Sequence, residues 1–191
     1  MDNVGFILKS LDFAARKHKN QFRKGEDKPP YINHPIQVAS LLSNEAGEKD
    51  TILIVAAILH DVIEDTVTGE GEKQELIIQI SHLFGKEVLN LILEVTDDNS
   101  LPKAERKRLQ IMHAPNISDR AKKLKIADKI LNIQDITSYP PVGWPLERII
   151  EYFEWSEKVV SGLRGVNKKL EDIFDEALKN GIAKYRTSGD K

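Results

Sequence analysis

Residues 51–66 read TILIVAAILHDVIEDT, and this stretch decides the fold. Residues 52–59 are all apolar, and the apolar pattern continues through Val62 and Ile63. A run of this length favours a helix over a short buried strand. A helix that is apolar on nearly all sides lies at the centre of a helical domain. We therefore predict one central helix over about 51–66, with Asp50 as its N-cap.

Apolar residues at helical spacing recur on both sides of this stretch. They predict further helices over about 4–18, 35–47, 74–84, 86–95, 102–113, 119–136, 146–163 and 168–180. Ser118 and Asn167 are suitable N-caps, and the connections contain glycine and proline. No strand pattern or repeat stands out. The sequence thus predicts one all-α domain over residues 1–191, a bundle of about eight helices, with the tail after about 180 frayed.

Composition narrows the class of protein. The 191 residues carry a net charge of -2 and contain no cysteine, which excludes disulfides, thiolate metal sites and cysteine nucleophiles. A general nucleic-acid binder would show a basic excess. The longest apolar run is too short to span a bilayer, and the charged N-terminal segment is unlike a signal peptide. We expect a cytoplasmic protein without nucleic-acid or membrane partners, and the sequence leaves the oligomeric state open.

The end of the central helix is polar. It carries His60, Asp61, Glu64 and Asp65, and residues four apart share a helix face. Three carboxylates and an imidazole beside a core are costly unless a cation or metal compensates them. Acidic residues are also unfavourable at a helix C-terminus. The alternative is that the helix emerges into water at His60 and these side chains are solvated.

A second polar position lies in the predicted helix 119–136. Asp128 stands among the apolar residues of LKIADKILNI (124–133), with Asn132 one turn later and Asp135 near the same face. Asp128 and Asn132 are therefore candidates for a metal ligand and a polar substrate contact. The simpler interpretation is an aspartate that caps or pairs with a lysine.

Two upstream segments complete the set of candidates. His34 lies in Asn33-His34-Pro35, where a lone histidine beside a helix start is more often structural than a ligand. Arg23 and Lys24 precede Gly25 in a loop, and such a pair suits phosphate binding, although a solvated basic pair is equally common. His18, His82 and His113 have no comparable setting, and we assign them to the surface or to ordinary packing.

Taken together, His34, the doublet His60-Asp61 and the distant Asp128 resemble the HD phosphohydrolase pattern. More narrowly, the chain is similar to the hydrolase domain of the RelA/SpoT family and to its small stand-alone, MESH1-like members. The specific part is HDVIEDT after an apolar helix, with YINHP upstream and ADKILN downstream. The matching segments are FRKGEDKPPYINHPIQVASLL (22–42), AAILHDVIEDT (56–66), VTDDNSLPKAERKRLQ (95–110), KIADKILNI (125–133) and GWPLERIIEYFEWSEKVVSGLRG (143–165).

The resemblance implies an HD fold and a specific reaction. A metal-activated water would hydrolyse the 3′-diphosphate of guanosine 3′,5′-bis(diphosphate), ppGpp, or of pppGpp, to GDP or GTP plus pyrophosphate, with one Mn²⁺ ion bound. The nitrogen and oxygen donors do not themselves select the metal, so other divalent ions suit as well. By resemblance the site residues are the metal ligands His34, His60, Asp61 and Asp128, the catalytic pair Glu64 and Asp65, and the substrate contacts Arg23, Lys24 and Asn132.

Three positions depart from the family pattern, and rival functions remain open. The small hydrolases usually have Lys at Asn99, Tyr or His at Leu131, and Arg at Gln134. One rival is an HD phosphohydrolase acting on another nucleotide, such as the 2′-phosphate of NADPH. Others are an inactive nucleotide-sensing module and a structural helical adaptor. The complete set of candidate metal ligands weighs against the sensor. The polar end of the central helix has no purpose in an adaptor.

Overall fold

The computed structural model describes residues 2–25 and 27–186, and it is built from helices. A π-helical turn, Leu41–Glu45, extends α2, and a 3₁₀ turn, Ala114–Asn116, follows α7. No strand occurs in the described ranges, where only an isolated bridge joins Phe22 and Pro30. The all-α prediction is confirmed. The helices are α1 (Asn3–Lys17), α2 (Asn33–Ser40), α3 (Thr51–Leu59), α4 (Val62–Asp65), α5 (Glu70–Phe84), α6 (Lys86–Val95), α7 (Lys103–His113), α8 (Asp119–Ser138), α9 (Leu146–Ser161) and α10 (Lys168–Arg186).

Helix α3 is the centre of the core, as predicted. Every residue from 53 to 59 is buried, and the helix packs against α1, α2, α6 and α8. Burying each large aliphatic side chain stabilises the fold by roughly 1.5–3 kcal/mol. The predicted N-cap is confirmed, because the Asp50 carboxylate accepts hydrogen bonds from the backbone N–H groups of Ile52 and Leu53 at 3.0 and 3.3 Å.

The prediction of one continuous helix over 51–66 is wrong. Helix α3 ends at Leu59, His60 and Asp61 form a turn, and a single-turn helix, α4, follows. Asp61 adopts φ −89° and ψ −7°, a region where active-site residues are often found. In a regular helix adjacent side chains diverge by about 100°. The turn instead lets two consecutive side chains enter one site.

Helix α8 brings the distant aspartate to α3. It packs along α10 and also contacts α2, α6 and α9. Its predicted cap is confirmed, since the Ser118 hydroxyl accepts from Ala121 N. Asn167 likewise accepts from Leu170 N at the start of α10. Asp128 lies near the middle of α8, and its side chain is 18% exposed.

Two helix ends differ from the prediction. Helix α5 begins at Glu70, four residues early. Helix α10 continues to Arg186 rather than fraying after 180, because the Tyr185 hydroxyl donates to the carbonyl of Ile136 at 2.8 Å and its ring packs on Phe153. Residues 187–191 of the expected tail lie outside the described residues. Among the described helices none is long and apolar enough to cross a membrane.

Candidate metal centre and active site

Four side chains from three parts of the chain converge beside α3. His34 lies in the first turn of α2, His60 and Asp61 in the turn after α3, and Asp128 in α8. His34 Nε2 lies 3.1 Å from Asp128 Oδ1, and His60 Nε2 lies 3.1 Å from Asp61 Oδ1. The remaining histidine–aspartate separations are 3.9 Å, from His34 to Asp61, and 3.8 Å, from His60 to Asp128. Both imidazoles are buried.

The donor atoms fit a divalent cation. The Nδ1–H of His60 donates to the carbonyl of Ala57 at 2.8 Å. That bond leaves the lone pair on Nε2, which faces the carboxylates, is buried and has no hydrogen-bond partner within the described part of the chain. Metal-ligating histidines are usually oriented in this way. Ligands at about 2.1 Å from an octahedral ion lie about 3 Å apart, close to the observed spacing, and one atom each of His34, His60 and Asp128 falls within 4.8 Å of the others.

The electrostatics of this cluster favour positive charge. Burial lowers the pKa of His60, but the carboxylates of Asp61 and Asp128 outweigh it and raise the pKa to about 9. Burial acts to raise the pKa of Asp128, yet the Lys129 ammonium and both histidines hold it well below its usual range. Lys129 Nζ lies 3.1 Å from Asp128 Oδ2. Asp128 is thus paired with a lysine while its other oxygen faces the histidines.

The acidic pair on α4 lies next to the cluster. Burial, together with the charges of Asp97 and Asp61, raises the pKa of Glu64 to about 7, although its carboxylate accepts a hydrogen bond from Asp97 N. Burial and the Asp61 charge also raise the pKa of Asp65. A carboxyl group with a pKa near neutrality, such as that of Glu64, is suited to moving protons.

Tyr31 joins the two aspartates, and sequence reasoning missed it. Its hydroxyl lies 2.8 Å from Asp61 Oδ2 and 2.6 Å from Asp65 Oδ2. A phenol has one hydrogen to donate, so the two carboxylates compete for it. Tyr31 belongs to the YINHP segment, but nothing in the local pattern reveals that its hydroxyl reaches α4.

His18 is a packing residue, one of the two settings expected for it. It is a buried residue whose ring stacks on Tyr31 with centroids 4.9 Å apart, and its Nδ1 pairs with Gln21 Oε1. His18 therefore supports the tyrosine that holds the aspartates. His82 and His113 are exposed, as expected.

Arg23 and Asn132 come together next to the cluster. The Asn132 amide donates to Asp128 Oδ1 at 2.7 Å and accepts from Arg23 Nη2 at 2.8 Å. Arg23 also donates twice to Asp135, at 3.1 and 2.7 Å. Its guanidinium is already engaged by protein, so a phosphate would have to share it. Lys24 is exposed and makes no ion pair within residues 2–25 and 27–186.

A group of cations on aromatic rings, which we call the cation–aromatic wall, was also missed. Burial and neighbouring cations lower the pKa values of Lys103 and Lys107, which indicates unbalanced positive charge suited to an anion. The lysines are four residues apart on α7, but the sequence does not show that they face α9. The wall consists of Trp144, Tyr152 and Trp155 with Lys103, Lys107, Lys129 and Arg148 over their rings.

Comparisons with known proteins agree with this geometry. The model of the HD domain family matches residues 10–143. Guanosine-3′,5′-bis(diphosphate) 3′-pyrophosphohydrolase MESH1 of Xenopus tropicalis is 48% identical, and the alignment covers 95% of this chain and 98% of that protein. The human MESH1 is 48% identical over 91% of this chain and 93% of its own length. A solved structure of a metazoan ortholog of SpoT that hydrolyses ppGpp matches with a TM-score of 0.85 and 45% identity, covering 91% of this chain and 94% of that one.

Proposed function

The chain belongs to the HD-domain family and to its stand-alone MESH1-like branch, and we propose that it hydrolyses the 3′-diphosphate of ppGpp or pppGpp. The products are pyrophosphate and GDP or GTP. One observation carries this proposal: an acidic pair lies beside a histidine–aspartate cluster that fits a divalent ion. The similarity to the named ppGpp hydrolases extends over nearly the whole chain.

We propose one divalent ion, Mn²⁺, held by His34, His60, Asp61 and Asp128. When bound, such an ion supplies Lewis acidity and positive charge at the reacting phosphate. The mixed nitrogen and oxygen donors do not distinguish Mn²⁺ from Zn²⁺ or Fe²⁺. The choice of manganese rests on the family resemblance alone.

In the proposed reaction, the oxygen of a water molecule attacks the phosphorus that is attached to the 3′ oxygen. The bond between that phosphorus and the 3′ oxygen breaks, pyrophosphate leaves, and the 3′ oxygen gains a proton. Glu64 is the proposed base that takes the proton from the water, because its pKa of about 7 is close to neutral pH. Asp65, whose pKa is also raised and which contacts the Tyr31 hydroxyl, is the proposed donor to the 3′ oxygen.

The phosphates require positive charge, because phosphoryl transfer depends on neutralising the equatorial oxygens and the leaving group. We assign Lys24 as a mobile cation, since its side chain is exposed. Arg23 would share its guanidinium between Asp135 and a phosphate. Asn132 would orient Arg23 next to the cluster. The cation–aromatic wall offers further contacts, and Lys129 connects it to Asp128.

The remaining proposals concern the chain as a whole. We propose that residues 1–191 act as a single domain in the cytoplasm and that the substrate is a small nucleotide. No basic stripe suggests a nucleic-acid partner.

Product analysis tests the proposed function. The purified protein with Mn²⁺ is incubated separately with ppGpp and with NADPH, and pyrophosphate and orthophosphate are quantified. We expect one pyrophosphate per GDP from ppGpp. Release of orthophosphate from NADPH without turnover of ppGpp would overturn this proposal and indicate an NADPH 2′-phosphatase instead. Binding of ppGpp without turnover would indicate a sensor. Asp61→Asn, which keeps the size but removes the charge, is the inactive control.

A further inference from the structure

The acidic pair stands on a helix that cannot hold its own shape. Helix α4 has only four residues, and a single helical turn is unstable in isolation. The carbonyl groups at a helix end need partners from elsewhere. Here the Thr66 hydroxyl donates to Val62 O at 2.7 Å, the Gln21 amide donates to Asp65 O, and the Asn99 amide donates to Glu64 O at 2.9 Å. The position of the pair is therefore fixed by neighbouring side chains.

Three residues from the α6–α7 loop and from α7 surround Glu64, and we call them the Glu64 bracket: Asp97, Asn99 and Arg106. Asp97 N donates to Glu64 Oε2 at 2.9 Å. Arg106 Nη1 donates to Asn99 Oδ1 at 2.7 Å and lies 3.9 Å from Glu64 Oε1. The bracket thus contacts both the carboxylate of Glu64 and its backbone carbonyl.

Further residues behind the Glu64 bracket hold its members in place. The Gln110 amide donates to Asp97 Oδ2. Arg106 and Gln110 line a cavity of about 170 Å³ together with Lys125, whose ammonium donates to Val95 O at 3.0 Å. A cavity of this size with polar walls has room for ordered water. Arg106 Nε and Gln110 Oε1 are buried and lack protein partners within the described residues, so water here would complete their hydrogen bonds.

We propose that Asn99 and Arg106 are positioning residues that hold the Glu64 carboxylate in place for the hydrolytic reaction, an inference that rests on the proposed function. Asn99 must donate to Glu64 O and accept from Arg106 at the same time. An amide does both, whereas a lysine has no acceptor and would repel the guanidinium. In this chain Asn99 is an internal bracket and not a cation that reaches for phosphate.

Kinetics test whether Asn99 and Arg106 support the hydrolytic reaction. The Asn99→Ala and Arg106→Gln variants are compared with Arg108→Gln, a matched control on the same helix whose charged partner is Glu105. Small displacements of a reacting group cost up to about a hundredfold in rate. We expect kcat to fall about ten- to a hundredfold in both variants while KM stays within about twofold. The double variant should lose less than the product of the two single losses, because Asn99 and Arg106 contact each other and both contact Glu64.

A titration that does not depend on turnover tests whether Arg106 acts on the Glu64 carboxylate. The charged groups facing Glu64 from its own turn, the α6–α7 loop, α7 and α8 are Asp61, Asp65, Asp97, Arg106 and Lys125. Replacing the cation at 3.9 Å with a neutral amide removes a contact that favours the ionised carboxylate. In Arg106→Gln, ¹³C NMR of the Glu64 carboxyl carbon, assigned with Glu64→Gln, should show its pKa raised. Arg108→Gln should leave it unchanged.

The two failures can be told apart. If the wild-type protein does not hydrolyse ppGpp, the proposed function fails, and the Glu64 titration still decides whether Arg106 acts on Glu64. If the wild type is active but Arg106→Gln changes neither kcat nor the Glu64 titration, the positioning role is overturned. Thermal unfolding of each variant identifies a loss of fold. Should Asn99→Ala unfold, Arg106→Gln decides the outcome alone.

Discussion

Replacing Glu64 with glutamine should make the protein more stable and less active. Folding raises the pKa of Glu64 from the ordinary 4.5 to about 7, mainly through burial. At about 1.36 kcal/mol per pH unit, that shift corresponds to about 3 kcal/mol against the ionised form. The side chain is still 23% exposed and lies near Arg106, and solvent screening reduces such energies. We therefore expect Glu64→Gln to raise the free energy of unfolding by about 1–2 kcal/mol.

The sign and the pH dependence of this stability change follow from proton linkage. The folded state binds the Glu64 carboxyl proton more tightly than the unfolded state does. The contribution of this proton to the free energy of unfolding is therefore fully present below about pH 4.5. It is lost as pH rises through about 7. Glutamine stays neutral at every pH and can still accept the hydrogen bond from Asp97 N. The advantage of Glu64→Gln should thus be absent near pH 4.5 and reach its full value at pH 8.

Urea denaturation of both proteins without added metal, at several pH values from 5 to 8, measures this difference. In the presence of metal and ppGpp, kcat of Glu64→Gln should fall by about 10²–10⁴-fold, while metal content stays at the wild-type level. A stability difference that does not change with pH, or a wild type more stable than the variant at pH 8, would refute the reasoning.

Further predictions concern the metal cluster and the core. His60→Ala and Asp61→Ala should lose bound metal and activity together, as seen by elemental analysis and pyrophosphate release; full activity in Asp61→Ala would remove it from the ligand set. Lys129→Met should destabilise the metal-free protein by about 3 kcal/mol in urea, because it removes the cation that lies 3.1 Å from the largely buried Asp128 carboxylate; an unchanged midpoint would contradict this. Gly181→Ala should cost about 1–3 kcal/mol, since a new Cβ would lie 2.9 Å from the Phe153 ring. Gly71→Ala, which meets nothing within 4 Å, should not lower the melting temperature.

The fold was predictable because the apolar spacing carries it. The apolar run 52–59 becomes α3 at the centre of the bundle, and the three proposed N-caps all make their hydrogen bonds. The turn at His60 and Asp61 was not predictable from spacing. It interrupts a pattern that is still apolar at Val62 and Ile63, and the partners that draw these side chains inward come from α2 and α8.

The candidate site was predictable only in part, for the same reason. Polar residues in an apolar setting, such as Asp128, stand out locally, and the family resemblance joins them. Tyr31, Asn99 and Arg106 reach Asp61, Asp65 and Glu64 from distant segments of the chain, and no local pattern shows which side chains meet across a fold. Arg23 illustrates the opposite case: the sequence identifies the cation but not Asp135, which already binds it.

The most direct test of the central claim is hydrolysis of ppGpp in water enriched in ¹⁸O, followed by mass spectrometry of both products. We predict one ¹⁸O atom in each released pyrophosphate and none in GDP, because water attacks the phosphorus and the 3′ oxygen stays with the nucleoside. No turnover with any divalent metal, or ¹⁸O found in GDP, would contradict it.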